Sequence, residues 1–187
     1  MSASDSPVST QTRSIELRSG LGCAVNPSSA PEILEPRTAH EWEQARTLLN
    51  EYLKSLPIDG GFLNIDREVA ALPGEYGAER GGFWLARLHG IWAGCCALAP
   101  LDGTDYANAC ELRRLYVRPG MRKNNLGLGL TEHALDRARL HGYKHVLLDT
   151  LSDMEAARAL YQGLGFKEIP PFYFNPIPGA HYLMATL

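Results

Sequence analysis

The chain has 187 residues, 45% hydrophobic and 21% charged, a balance that suits one ordinary domain plus a tail and needs no disulfide staples to fold. Its net charge of -3 argues against a dedicated nucleic-acid binder, whose binding face is basic. No apolar run reaches the roughly 20 residues of a bilayer span, and the N-terminus lacks the apolar centre of a signal peptide, so a cytoplasmic protein engaging neither membrane nor nucleic acid is expected.

Residues 1–30, rich in Ser, Thr and Gly, cannot bury much and are expected to form a flexible tail, with one domain over 31–187. Within the tail, residues 14–18 alternate like a short strand. A first strand is expected at 32–35. Thr38 then has the character of an N-cap, and Trp42, Ala45, Leu48, Leu49, Tyr52 and Leu53 recur at helical spacing. A breaker at 57–61 and a short helix over 66–71 follow, stopped by Leu72-Pro73-Gly74. Apolar runs at 83–88 and 92–99 meet at His89-Gly90, a hairpin signal, and a further strand is expected at 110–117. From there strands and helices alternate. A helix over 126–141 buries Leu130, Ala134, Leu135 and Ala138 and closes at Gly142. The continuous apolar run 145–148 suits a central parallel strand. A helix over 154–164, with Asp153 or Ser152 as N-cap, and strands at 166–169 and 182–186 complete the chain. The order β-α-α-β-β-β-α-β-α-β-β predicts an α/β (α+β) domain, a mixed, centrally parallel sheet with helices on both faces.

Cys23, Cys95, Cys96 and Cys110 contain no CxxC pair, and the adjacent Cys95 and Cys96 lie in an apolar run, so they are expected to pack. His141 and His145 are four apart, but Gly142 breaks any helix between them, so no metal site is expected. His133 is expected to be a surface or hydrogen-bonded residue.

The chemistry-bearing segment is Leu115-Tyr116-Val117-Arg118-Pro119-Gly120-Met121-Arg122-Lys123-Asn124-Asn125-Leu126-Gly127. It reads as strand, turn, polar loop and helix start. A helix start offers unpaired amides and a partial positive charge, and Arg118, Arg122 and Lys123 add cations, so a phosphate-bearing ligand is expected there. The nucleotide loop GxxxxGK[ST] is absent. Gly127-Leu128-Gly129 is followed by Glu132 where the dinucleotide fingerprint needs a small residue.

This segment resembles the phosphate loop of the GNAT superfamily of N-acetyltransferases, [QR]-x-x-G-x-[GA] after V-x-P, with Arg122 first and Gly127 last. Ala159-Leu160-Tyr161 and Leu164-Gly165-Phe166 resemble the family's A-x-L-Y-x-x-x-G-F stretch. The tail Ile169-Pro170-Pro171-Phe172-Tyr173 with Asn175-Pro176-Ile177-Pro178-Gly179 resembles a bacterial-type subgroup ending in PYY-x-NP-x-PG. Residues 32–187 are covered. The resemblance implies transfer of an acetyl or other acyl group from acetyl-CoA (coenzyme A) to a primary amine of a small molecule or peptide. It implies Glu111 as base and Tyr161 as acid. For the cofactor it implies Leu115, Tyr116, Val117, Arg122, Lys123, Asn124, Asn125, Leu126 and Gly127. Met154 stands where many relatives place a cofactor-contacting Asn, and Asn125 stands where the family has its first loop glycine. Phe172, Tyr173 and Phe174 fall in the segment lining the acceptor site, and residues 36–80 shape that pocket. A non-catalytic acyl-CoA sensor is the alternative; acceptor, acyl length and a homodimer stay open.

Overall fold

The computed structural model describes residues 30–56, 65–77, 79–175 and 177–187. The expected tail (apart from Ala30), its strand-like 14–18, Cys23, the breaker at 57–61 and Pro176 lie outside the described residues.

Strand β1 (Glu32–Leu34) leads into helix α1 (Ala39–Ser55), whose start is fixed locally. Thr38 accepts a hydrogen bond from the Glu41 amide while the Thr38 amide donates to the Glu41 carboxylate, which satisfies two otherwise unpaired donors. Helix α2 (Ile65–Ala71) follows. The hairpin β2 (Gly82–Leu88) and β3 (Ile91–Leu101) turns through His89 and Gly90, both at positive φ, as a two-residue loop of matching twist requires. Then come β4 (Ala109–Val117), α3 (Leu126–Leu140), β5 (His145–Leu151), α4 (Glu155–Gly163), β6 (Lys167–Ile169) and β7 (Ala180–Thr186). The expected element order holds.

The seven strands form one sheet in the order β1-β2-β3-β4-β5-β7-β6. Its two faces carry separate cores, one under α3 and α4, the other under α1 and α2. Cys96 and Cys110 pack in the first and Cys95 in the second, all fully buried.

The parallel pairing expected at the centre of the mixed sheet is that of β4 with β5, over Ala109–Glu111 and His145–Leu147, while β5 pairs antiparallel with β7 along its full length. One expectation needs correction. Neither Asp153 nor Ser152 caps α4. Met154 is the N-cap, with no side-chain bond, because the Ser152 hydroxyl donates instead to the Gly179 carbonyl 3.1 Å away.

Strand β4 carries a bulge. Cys95 faces Tyr116 and Ala97 faces Arg113, so Arg114 and Leu115 together oppose Cys96. Arg114 takes up the extra residue at φ 57. Just beyond the bulge the strands close so tightly that a Cβ on Gly94 would meet the Tyr116 carbonyl at 2.5 Å.

Candidate active site

The bulge turns the second half of β4 away from β5. Past Glu111, β4 continues against β3 alone and β5 against β7 alone, and the parted strands open a cavity of about 1330 Å³. Glu111, Leu115, Tyr116, Val117, Arg122, Lys123, Asn125, Leu126, Gly127, Met154 and Tyr161 all line it. So do Phe172, Tyr173 and Phe174. A smaller hollow of about 410 Å³ between β1, β2 and α3 holds His133, edge-on to Trp84, and none of these residues.

Asn124 is the exception among the sequence-predicted residues. It is absent from the cavity wall, and its amide donates to the Met121 carbonyl at 3.0 Å, bracing the turn before the loop. Arg118 also departs from expectation. Its guanidinium donates to both Glu51 carboxylate oxygens at 2.7 and 2.8 Å and to the Trp92 carbonyl at 2.6 Å, so its charge is spent on α1. That contact holds the Glu51 carboxyl below its usual range.

The loop brings cationic side chains beside the start of a helix. After a single tight turn at Pro119–Met121, Lys123 and Asn125 both adopt left-handed backbone, φ 71 and 57, and α3 begins. Asn125 is the N-cap, yet its side chain makes no capping bond, so the first-turn amides are left without a side-chain acceptor. Arg122 and Lys123 stand exposed beside them on the cavity wall. A Cβ on Gly127 would find only Leu160 at 3.7 Å, so the backbone there is open to a ligand.

At the other end of the cleft, Glu111 is 4% exposed and accepts a hydrogen bond from Arg113. Burial pushes its carboxyl above the usual range, the Asp149 charge adds to this, and Arg113 opposes it. Tyr161, on α4, packs its ring at a tilt against Phe166, centroids 5.5 Å apart, and is pushed up by burial, so it stays protonated at neutral pH. Its side chain lines the cavity. Met154 accepts a weak hydrogen bond from Thr150 at 3.9 Å.

Sequence reasoning missed two groups. Glu68 of α2 accepts from Arg114 at 2.6 and 2.9 Å and from the Tyr76 hydroxyl at 2.6 Å, tying the bulge to the helix below it. Asp149 of β5 faces the cavity, taking a hydrogen bond from Asn175 at 2.9 Å. The expected apolar strand ends at 148, one residue short of it. The alternation Leu147, Asp149 was the available signal, since residues two apart share a face.

His141 ends α3 as its C-cap and His145 opens β5; among the described residues no group of His, Cys, Asp or Glu could hold a metal ion. No helix among the described residues is long and apolar enough to cross a membrane.

Comparison with known proteins agrees with this geometry. Residues 42–166 match the acetyltransferase (GNAT) family. An uncharacterised N-acetyltransferase of Schizosaccharomyces pombe is 38% identical over 139 residues, covering 74% of this chain and 83% of that protein. An acetyltransferase structure from Streptococcus agalactiae superposes with a TM-score of 0.68 at 22% identity, covering 84% of this chain and 99% of the other. A Salmonella typhimurium acetyltransferase that contains its cofactor acetyl-CoA gives 0.61 at 16% identity, over 84% and 94% of the two chains.

Proposed function

We infer, for a chain that belongs to the acetyltransferase (GNAT) family and is an acyl-CoA-dependent N-acetyltransferase, a division of the transfer among residues of one cleft. The residues present suit acetyl-CoA: unfilled amides at the start of α3, Arg122 and Lys123 beside them, and a Gly127 backbone open to approach. They would hold the pyrophosphate. The thioester supplies an activated acyl carbonyl, and the gap between β4 and β5 leads from the phosphate end toward Glu111.

The acceptor amine must lose a proton and the departing sulfur must gain one. Glu111, raised by burial, takes the amine proton, directly or through one water. As the amine nitrogen bonds the acyl carbon, the carbon–sulfur bond breaks. Tyr161 donates its proton to the sulfur. Backbone amides of Tyr116 and Val117, on the part of β4 with no β5 partner, hold the acyl oxygen. The acceptor is a primary amine of a small molecule or peptide, admitted past Phe172, Tyr173 and Phe174.

The observation that carries this reading is the meeting of a base, an acid and an anion-binding helix start in one cavity between parted strands. Purified protein mixed with acetyl-CoA and a panel of amines, followed by free-thiol release, tests it. Acetyl-CoA binding without amine-dependent thiol release would reduce the site to a sensor.

A further inference from the structure

The acceptor end of the cleft carries charges that do not cancel. Glu68 is paired with Arg114, and Glu111 with Arg113. Asp149 lines the same cavity and forms no ion pair among the described residues; its hydrogen-bond donor, Asn175, is neutral. All three carboxylates sit toward the α1/α2 side. Glu111 pairs across β3 with Ala99 of that core, and Asp149 lies two residues beyond Leu147, the register partner of Glu111. Its charge reaches Glu111, Tyr52 and Tyr173.

We propose that Asp149 is the specificity-determining residue of the acceptor pocket, receiving the amine as its ammonium and excluding amines that carry a carboxylate on the adjacent carbon. The proposal rests on the acyltransferase reading of the cleft. A half-buried carboxylate that accepts from one neutral amide lacks a counter-ion, which an incoming ammonium supplies. Glu111, on the neighbouring strand, then stands beside that ammonium to take its proton. An α-carboxylate would have to lie against Asp149, a like-charge contact in a cavity partly shielded from water.

Asn175 fixes where the charge sits. Asn175 is itself held, its side-chain oxygen accepting from the Ile177 amide at 2.9 Å, and the Tyr173 carbonyl accepts from the Tyr182 hydroxyl at 3.0 Å. The chain is held again at Gly179, whose carbonyl accepts from the Ser152 amide at 2.9 Å. Asp149 is thus aimed by a strap that also walls the pocket, so the same segment sets both entry and charge.

The test uses two matched pairs, phenylethylamine against phenylalanine and putrescine against ornithine, each pair differing by one carboxyl group. Binding is measured calorimetrically to the full chain saturated with coenzyme A, so the readout does not require transfer. The expected result is that at least one decarboxylated member binds tenfold or more tightly than its amino acid, and that Asp149→Asn erases the difference. Asp149→Glu, which keeps the charge, should retain the preference; a merely structural role for Asp149 would weaken both variants alike. Equal binding within both pairs, no binding of either amine, or a preference that survives Asp149→Asn overturns the proposal. Should amine binding behave as expected while no amine yields free thiol from acetyl-CoA, the transfer reading fails and the ammonium site stands.

Discussion

Arg114 and Glu68 are 46 residues apart in the chain, yet the guanidinium of one clasps the carboxylate of the other through hydrogen bonds of 2.6 and 2.9 Å. Both side chains are largely buried, at 17% and 16% exposure. Burial alone would raise the Glu68 carboxyl, but Arg114 and the Tyr76 hydroxyl outweigh it and hold it below the usual range. A carboxyl lowered by folding contributes stability above its unfolded value and loses that contribution as pH falls through the folded one. Glu68→Gln should therefore destabilise the fold at neutral pH by on the order of 3 kcal/mol, the cost of leaving a buried charge alone. The gap from the wild type should narrow on acidification. Urea unfolding at two pH values measures both, and a constant gap would mean the pair is not what stabilises the bulge.

Gly127→Glu tests the phosphate cradle. The position has room for a side chain, its nearest neighbour being Leu160 at 3.7 Å, so the domain should fold. Acetyl-CoA affinity should fall at least tenfold, about 1.4 kcal/mol, because the new charge faces the pyrophosphate. Unchanged calorimetric affinity in a folded variant would place the cofactor elsewhere.

Asn125 sits at φ 57 with a side chain that caps nothing. Asn125→Gly should tighten acetyl-CoA binding a few-fold at most, since Asn tolerates this region and left-handed strain is only about 1 kcal/mol. Asn125→Val should bind weakest, a β-branched residue being poorly suited to positive φ. Affinities ranked in any other order would show that this backbone does not govern binding.

Tyr161→Phe keeps the ring on Phe166 and removes only the hydroxyl. Turnover should drop roughly 100-fold, the low end for general acid catalysis, with acetyl-CoA affinity nearly unchanged. A kcat within about twofold of the wild type would leave Tyr161 a packing residue.

Glu111 gives a pH test with two arms. Its folded carboxyl titrates above the usual range, so the acid limb of kcat/KM should lie above that range and vanish in Glu111→Gln. A carboxyl raised by folding favours the fold while protonated and loses that contribution as pH rises through the folded value. Relative to the wild type, Glu111→Gln should thus gain stability as pH rises. Identical pH–rate profiles would assign proton removal to another group.

What could be read in the sequence was what neighbours in the chain decide. Thr38 and Glu41 form a cap three residues wide, His89-Gly90 closes its hairpin, and the stripe of Leu130, Ala134, Leu135 and Ala138 buries as its spacing requires. The backbone of the loop before α3 was legible for the same reason: strand, turn and helix start follow one another directly. The bulge was not. Arg is an unfavourable residue for left-handed backbone, and what holds Arg114 there is Glu68, supplied by a distant helix. Arg118 looks like a ligand for phosphate beside the loop, but Glu51, 67 residues away, takes its charge. Asn124 and Asn125 are indistinguishable by type; only the backbone decides that one braces the turn and the other starts the helix.

The extra residue at 114 also acts as a half-period phase slip along β4. Before it, Glu111 and Arg113 share the face of Ala97 and Ala99; after it, Tyr116 joins that face while Leu115 and Val117 pack on the opposite core. In a strand without the slip, 111, 113, 115 and 117 would all point the same way. Deleting residue 114 alone would therefore restore perfect alternation and leave Leu115, Tyr116 and Val117 on the faces they already occupy. Keeping all nine residues of the strand in unbroken alternation is what would exchange them: Tyr116 would be driven into the core beneath α3, and two aliphatic side chains would turn into the cavity. The irregularity of this strand is what lets one stretch of backbone serve a polar pocket and an apolar core in succession.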